Sequence, residues 1–265
     1  IIFKMDTEEY LKEFEKKVRE VYFVAEEARS KNLDPQDHVE IPLAMSMAEK
    51  VVGLISSIYP QMKGSKIADR ILELEKEHGK LDPAVSITIS EEVAKQKFCN
   101  FLSLLQAIDA GVRIGFAYAT LGVVSSPIEG LTEIKVMKTR DGREYLAAYY
   151  SGPVRSAGGT SAAFSLVLID HLREIFGFAR YDPTEEEMKR AVSELTDYHE
   201  RITNLQYMPT EEEILFLVKN IPIQITGEKS EILEVSNYNN LERIETNYLR
   251  SGYCLVMGEG IAQKE

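Results

Sequence analysis

The sequence predicts a mainly α fold with a small β component (α+β). Apolar residues at helical spacing recur through most of its 265 residues. One stretch instead alternates with a period of two around an Asp-Gly pair. Two helix starts carry the capping-box signature, in which threonine is followed three residues later by glutamate. We therefore expect a helical accessory domain that contains one β-hairpin and a few short strands.

The first predicted element is a long amphipathic helix, and Asp6 with Glu9 resembles a capping box at its start. Pro35 and Pro42 end the pattern, because proline lacks an amide and disfavours helix in the residue before it. Its apolar stripe comprises Leu11, Phe14, Val18 and Val21. The stripe suits a helix that docks on a partner as well as a core helix. The predicted organisation is a docking helix (1–32), a linker (33–42) and a mainly helical domain (43–265).

Helical spacing predicts further helices at about 43–57, 65–78, 90–109 and 159–176. Ser90 is the expected N-cap of the third, and the glycine-punctuated run GVRIGFAYATLGVV that follows permits close packing. Thr184 with Glu187 and Thr210 with Glu213 predict two more helix starts. Short strands and loop are expected over 222–242. The segment from Glu245 is open between helix and strand.

The period of two between Leu131 and Ser151 is the clearest strand signal, and it predicts a hairpin over 131–151. Asp141-Gly142 is typical of a two-residue type I′ turn, flanked here by Arg140 and Arg143. That turn sets three pairs of residues opposite each other: Ile134 and Tyr149, Val136 and Ala147, and Lys138 and Tyr145.

Charge and composition exclude several classes of protein. There are 31 Lys and Arg against 43 Asp and Glu, so the formal net charge is −12. This excludes nucleic-acid binding through bulk positive charge and leaves only a local basic patch. Cys99 and Cys254 lie in apolar runs without metal-site spacing, so buried free thiols in a reducing cytoplasm are expected. No run reaches membrane-span length. The chain lacks an initiator Met, and we expect a piece of a longer cytoplasmic protein.

The run YYSGPVRSAGGTSAAF (149–164) is the most suggestive chemically, because a glycine turn leads there into a helix. Amides at a helix N-terminus attract anions, so the run is a candidate phosphate site. Its candidate residues are Arg155, Ser156, Gly158, Gly159 and Thr160. The alternative is a tight turn in which Thr160 is the N-cap and Arg155 pairs with a carboxylate. No phosphate-loop or dinucleotide fingerprint is present.

The hairpin adds a cationic island next to this turn. It consists of Lys135, Lys138, Arg140 and Arg143. Such an island suits contact with a DNA backbone, whose affinity falls steeply with salt. The alternative is that the charges block pairing at a strand edge.

The sequence does not match the motifs of an enzyme that would be active on its own. His199-Glu200 lacks the second histidine of a zinc protease, since Thr203 stands there. His171 has no serine elbow near it. No Asp-x-Asp pair suits two-metal chemistry. We expect no metal or cofactor in this chain, and solvated or capping roles for its histidines: His38, His78, His171 and His199.

Several sequence blocks, spread over nearly the whole chain, resemble those of a known family and occur in the same order. They are HVEIPLAMSMAEKV, AIDAGVRIGFAYATLGVVSSPIEGL, YYSGPVRSAGGTSAA, YDPTEEE, LQYMPTEEEI, PIQITGE and VSNYNNLERIETNYLRSGYCLVMGEGIAQK. Together they resemble the N-terminal region of the large subunit of the archaeal family D DNA polymerase.

The resemblance implies a replicative, magnesium-dependent DNA polymerase in a heterodimer or heterotetramer with a small exonuclease subunit. It places the catalytic carboxylates and the zinc-binding cysteines beyond this chain, so no catalytic residue is assigned. The expected role is subunit assembly, through the small subunit and self-association of the large subunit, in an archaeal cytoplasm at the nucleoid. The alternative is a phosphate or DNA-backbone binding module centred on 135–160.

Overall fold

A computed structural model of the chain describes residues 7–34, 44–122 and 125–264. They fall into a short unit that contains residues 7–34 and a large unit that contains the remainder. The short unit is helix α1 (Thr7–Ser30), whose ion pairs at i,i+4 spacing, such as Glu15 with Arg19, support an exposed helix. Asp6 of the predicted capping box and 35–42 of the predicted linker lie outside the described residues.

The large unit confirms a mainly α fold with a small β component. Its helices are α2 (Met47–Ser56), α3 (Ile67–His78), α4 (Pro83–Ala94), α5 (Leu104–Ala119), α6 (Gly159–Phe176), α7 (Glu185–Arg201), α8 (Glu211–Asn220) and α9 (Ser251–Leu255). Both predicted capping boxes are present, at Thr184 before α7 and at Thr210 before α8. In each, the threonine hydroxyl accepts the amide N–H of the glutamate three residues on, whose carboxylate accepts the threonine N–H.

The predicted helix over 90–109 is wrong, because α4 and α5 divide that stretch. Asp82 caps α4, with Pro83 at the first helical position, and Ser103 caps α5. Ser90 is fully buried inside α4. A Cβ on Gly111 of α5 would lie 2.5 Å from the Ser90 carbonyl oxygen, so glycine allows the close packing of the two helices that the sequence predicted.

The predicted hairpin is present as β1 (Leu131–Lys138) and β2 (Glu144–Tyr150). A third strand, β3 (Gln224–Thr226), fulfils the expectation of short strands over 222–242. The strand order is β1-β2-β3, with β1 antiparallel and β3 parallel to β2. The central strand β2 is buried on both faces.

The predicted hairpin register is wrong by one residue. Val136 lies opposite Leu146, and Ile134 opposite Ala148. The Thr139 N–H donates to the Arg143 carbonyl, and the Gly142 N–H donates to the Thr139 carbonyl. Of the loop residues only Gly142 has a positive φ, +84°, whereas a type I′ turn needs two. The loop is therefore a three-residue type I turn closed by a glycine bulge, which moves Tyr145 and Tyr149 to the face opposite Ile134.

The described part of the large unit contains three clusters of buried hydrophobic residues. The first packs α5, α6 and α7 against the sheet, and the second lies among α2, α3, α4 and α5. The third is small and consists of Tyr145, Ala147, Tyr149 and Tyr181. After α9 the chain continues as a π-helical turn (Val256–Ile261), so the stretch that was open between strand and helix is helical from Ser251 on. Its first part, 245–250, is not helical, and Tyr248 there forms an isolated β-bridge with Glu234.

The two cysteines differ in burial. Cys254 is fully buried, but Cys99 is only partly buried, which corrects the expectation of two buried thiols. Burial raises the pKa of the Cys99 thiol and raises that of Cys254 well above its usual value. We expect iodoacetamide at about pH 8 to alkylate Cys99 first and Cys254 only after unfolding, as peptide mass spectrometry will show. Equal labelling rates in the folded protein would contradict this packing.

Candidate functional site

The loop end of the hairpin carries three of the predicted cations on its surface. Lys138 is exposed and has no hydrogen-bond or ion-pair partner among the described residues. The Arg140 Nε lies 3.0 Å from Oδ2 of Asp182, and the Arg143 Nε lies 2.8 Å from Oδ2 of Asp141. Both arginine side chains are still about two-thirds exposed, at 64% and 67%. Exposed pairs of this kind are weak, so both guanidinium groups remain accessible to another anion.

Lys135 stands apart from the other three cations. Its Nζ lies 3.1 Å from both carboxylate oxygens of Glu245 and 4.2 Å from the centre of the Tyr149 ring. Burial lowers the pKa of Lys135, but the hydrogen bond to Glu245 and the nearby groups of Tyr149, Glu133 and Glu245 together offset this and raise the pKa above its usual value. Lys135 therefore stays charged and binds residues of its own chain.

The glycine turn places Arg155 next to a carboxylate of the protein. Its Nη2 lies 2.9 Å from Oε1 of Glu259, an oxygen that also accepts the Gln206 N–H at 3.1 Å. Arg155, Gly158, Gly159 and Glu259 line a small cavity of about 60 Å³. The anion nearest to Arg155 is thus Glu259, as the turn interpretation expected.

The remaining residues of this turn hold the backbone. The Ser156 hydroxyl donates to the Pro153 carbonyl at 2.9 Å and lies 2.8 Å from the Ser126 hydroxyl. Helix α6 begins at Gly159, and its N-cap is Gly158, with φ +75°. The expectation that Thr160 is the N-cap is wrong, because Thr160 is an exposed residue within the first turn of α6.

A cleft of about 450 Å³ lies between the hairpin loop and the start of α7. Lys138, Arg140 and Arg243 face it together with Glu186 and Glu242, so its lining is of mixed charge. Sequence reasoning missed Arg243, which binds Asp182 and Glu187 at 2.6 and 2.5 Å. No local pattern points to Arg243, since both acids lie more than fifty residues away.

Sequence reasoning also missed a buried ionic cluster. Glu194 of α7 is fully buried and binds two arginines: Arg250 Nη2 lies 2.6 Å and Arg190 Nε 3.3 Å from its Oε2. Burial lowers the pKa of Arg190 below its usual value. Burial acts on Arg250 in the same direction, but Glu194 more than offsets it and raises that pKa. The cluster joins α7 to the start of α9.

The histidines were predicted to be solvated or to cap helices, and among those described His171 departs from this, because it pairs with a carboxylate. His199 Nδ1 accepts the Leu205 N–H at 3.0 Å, next to the end of α7, and His171 Nε2 lies 2.9 Å from Oε2 of Glu91. His78 is exposed, and His38 lies outside the described residues.

Two kinds of site are absent from the described part of the chain. No three His, Cys, Asp or Glu side chains there come close enough to ligate a metal ion, so the Mg²⁺ implied by the resemblance finds no ligand set in those ranges. No described helix has the length and apolar character that a membrane span requires.

Comparison with known proteins identifies the family. Residues 9–265 match the family described as DNA polymerase II large subunit DP2, N-terminal. The chain belongs to this family. The resemblance to the archaeal family D large subunit is thereby confirmed.

Three relatives show how far the similarity extends, and each is a DNA polymerase II large subunit. That of Nanoarchaeum equitans is 48% identical over 249 residues, or 94% of this chain and 20% of the relative. That of Thermoplasma acidophilum is 43% identical over 98% of this chain and 23% of the relative. For Thermococcus kodakarensis the identity is 37% over 99% of this chain and 14% of the relative. The chain therefore spans about a fifth of the length of the first of these relatives.

Proposed function

We propose that this chain is the non-catalytic N-terminal domain of the large subunit of an archaeal replicative DNA polymerase, and that it serves subunit assembly. The family match supports the polymerase. The apolar stripe of α1 supports assembly. Leu11, Phe14 and Val21 are 57%, 54% and 68% exposed, and Val18 is partly exposed. Apolar side chains exposed along one helix mark an interaction surface.

In the parent enzyme this domain accompanies a small exonuclease subunit and a magnesium-dependent active site that lies elsewhere in the large subunit. The chain spans 20% of a relative, so most of the large subunit is available to hold that site. The proposed domain positions subunits and takes no part in nucleotidyl transfer.

The assembly role is tested by replacing the stripe without weakening the helix. Leu11→Gln with Phe14→Gln removes two of its apolar anchors, and glutamine keeps a good helix propensity. In the full-length large subunit mixed with the small subunit, we expect a lower molar mass by light scattering, because the contact loses its apolar area. The matched control, Lys12→Gln with Lys16→Gln, changes two exposed residues of the same helix. Equal masses for both variants and the wild type would refute the docking role of α1.

A second candidate function is contact with a DNA backbone at the hairpin. Lys138 favours it, because this exposed cation has no acidic partner among the described residues, and Arg140 and Arg143 lie exposed beside it. Arg155 and Lys135 contribute less, since each is bound to a carboxylate of the chain.

Reversing these three charges tests the DNA contact. Lys138→Glu with Arg140→Glu and Arg143→Glu should weaken duplex binding and flatten the slope of log K against log salt by about 0.9 per lost phosphate contact. Fluorescence anisotropy across a salt series measures the slope. The control reverses three exposed lysines elsewhere: Lys63, Lys66 and Lys80. If both variants lose affinity equally, the hairpin makes no specific contribution.

A further inference from the structure

One side of the sheet has no neighbouring strand among the described residues. In the order β1-β2-β3, the eight-residue strand β1 pairs with β2 and with no other strand of that part of the chain. An edge strand presents a row of main-chain N–H and C=O groups that can template another strand.

The hydrogen-bond pattern shows which groups of β1 point away from β2. The Thr139 N–H donates across the hairpin to Arg143, so odd-numbered residues of β1 face β2. The Ala179 N–H donates to the Glu144 carbonyl on the far side of β2, which fits the same alternation. Ile134, Val136 and Lys138 therefore direct their N–H and C=O groups outward.

The two ends of this outer edge differ. Near the start of β1, Arg113 Nη2 donates to the Thr132 carbonyl at 2.9 Å and closes the edge. From Ile134 to Lys138 no described residue donates to or accepts from the outward main-chain groups. Main-chain polar groups in folded proteins are nearly always paired, either with protein or with water. The open part of the edge therefore spans three outward residues, enough for a short strand.

The side chains along the open edge indicate what kind of strand fits. Ile134 is buried and Val136 partly buried on the core face, so the added strand needs apolar residues next to them. Lys138 is exposed on that face without an acidic partner among the described residues. An acidic side chain of the added strand, opposite Lys138, would form a cross-strand ion pair with it.

We propose that the open edge of β1 binds an extended segment of the same large subunit from beyond residue 265, which adds a fourth strand to the sheet. The family is an N-terminal one and this chain spans 20% of a relative, so a long further segment is available on the same polypeptide. Covalent linkage gives that segment a high effective concentration. A second copy of β1 fits less well. In antiparallel self-pairing, Lys138 faces an outward residue of the copy, and Thr132, Ile134, Val136 and Lys138 include no acid.

Site-resolved hydrogen exchange on the full-length large subunit tests this strand. We expect the amides of Ile134, Val136 and Lys138 to exchange within about tenfold of the rates of Lys135 and Met137, which face β2. Exchange of the outward amides at least about a hundredfold faster would overturn the proposal. Protection that appears only when the small subunit is added, or only at concentrations where the large subunit dimerises, would also overturn it, because the occupant is then another chain.

A photo-crosslinking residue at position 138 of the full-length subunit identifies the occupant. The expected product is a crosslink to an acidic, extended peptide from beyond residue 265 of the same chain, while the same probe at exposed Lys80 should not capture that peptide. A crosslink from position 138 to the small subunit or to a second copy would contradict the assignment. Deletion of residues 1–40 should leave the amide protection unchanged, which separates this inference from the assembly role of α1.

Discussion

Glu194→Gln is expected to destabilise the protein by about 3–5 kcal/mol, because it leaves two guanidinium groups buried without a counter-charge. Glu194 is fully buried between Arg190 and Arg250, and it also accepts the Arg250 main-chain N–H at 2.9 Å. Glutamine keeps the shape of the side chain, but it removes the charge and replaces one of the two acceptor oxygens by an NH2 donor that faces arginine N–H groups. Chemical denaturation of the chain measures the change in the free energy of unfolding.

The same helix supplies the control for this substitution. Glu185 pairs with Lys189 at the same i,i+4 spacing that joins Arg190 to Glu194, but both partners are exposed. Glu185→Gln should leave the free energy of unfolding nearly unchanged, since exposed pairs contribute little. If Glu194→Gln behaves like Glu185→Gln, the buried cluster does not hold α7 to α9 as described.

Arg113→Met is the second substitution with a large expected effect. Arg113 is buried and binds Asp109 through Nε at 2.5 Å. Its Nη1 donates to the carbonyls of Pro127 and Leu131 at 2.8 and 2.6 Å, and its Nη2 to that of Thr132. Methionine fills the space without a single donor, so Asp109 loses its counter-charge and the carbonyls lose their partners. We expect a loss of about 3–5 kcal/mol in the free energy of unfolding.

Arg113→Lys separates the charge from the geometry. Lysine keeps the positive charge, but its three donors on one nitrogen cannot reproduce the planar fork of arginine. We expect an intermediate loss, with faster hydrogen exchange in the turn before β1. Arg143→Met is the control, because that side chain is 67% exposed. A Lys variant as stable as the wild type would mean that the fork geometry is irrelevant, and a Lys variant as unstable as the Met variant would mean that the charge alone contributes nothing.

Local signals predicted the fold well where one short segment decides the structure. Thr184 and Thr210 marked helix starts correctly because a capping box involves only four consecutive residues. Helix α6 begins and ends where the sequence predicted, at Gly159 and Phe176. The prediction of an N-cap at Ser90 was wrong because a serine can either start a helix or lie buried inside one. Asp82-Pro83 is the stronger signal for the start of that helix.

The hairpin shows that the sequence can predict a turn without predicting its length. Asp141-Gly142 suits both a two-residue turn and a three-residue loop with a bulge, and the two differ by one residue in register. The hydroxyl of Thr139 donates to the Asp141 carboxylate and also contacts the Arg143 carbonyl, and these contacts belong to the longer loop. A sequence pattern that fixes the presence of a turn does not fix its length.

The candidate site was predicted as a set of cations, but their partners were not. Lys135 binds Glu245 and Arg155 binds Glu259, each more than a hundred residues away. Ion pairs that distant in sequence depend on the tertiary fold, so composition and spacing cannot reveal them. These acidic partners determine which of the predicted cations can bind another anion. Lys138 is the cation that has no acidic partner among the described residues.

The assembly role is tested most directly by deleting residues 1–40 from the full-length large subunit. Light scattering then measures the molar mass of the large subunit alone and in mixture with the small subunit. The deletion removes α1 with its exposed apolar stripe and leaves the cores of the large unit intact. We predict a lower molar mass of the assembly at equal concentration. An unchanged mass would contradict an assembly function for this domain.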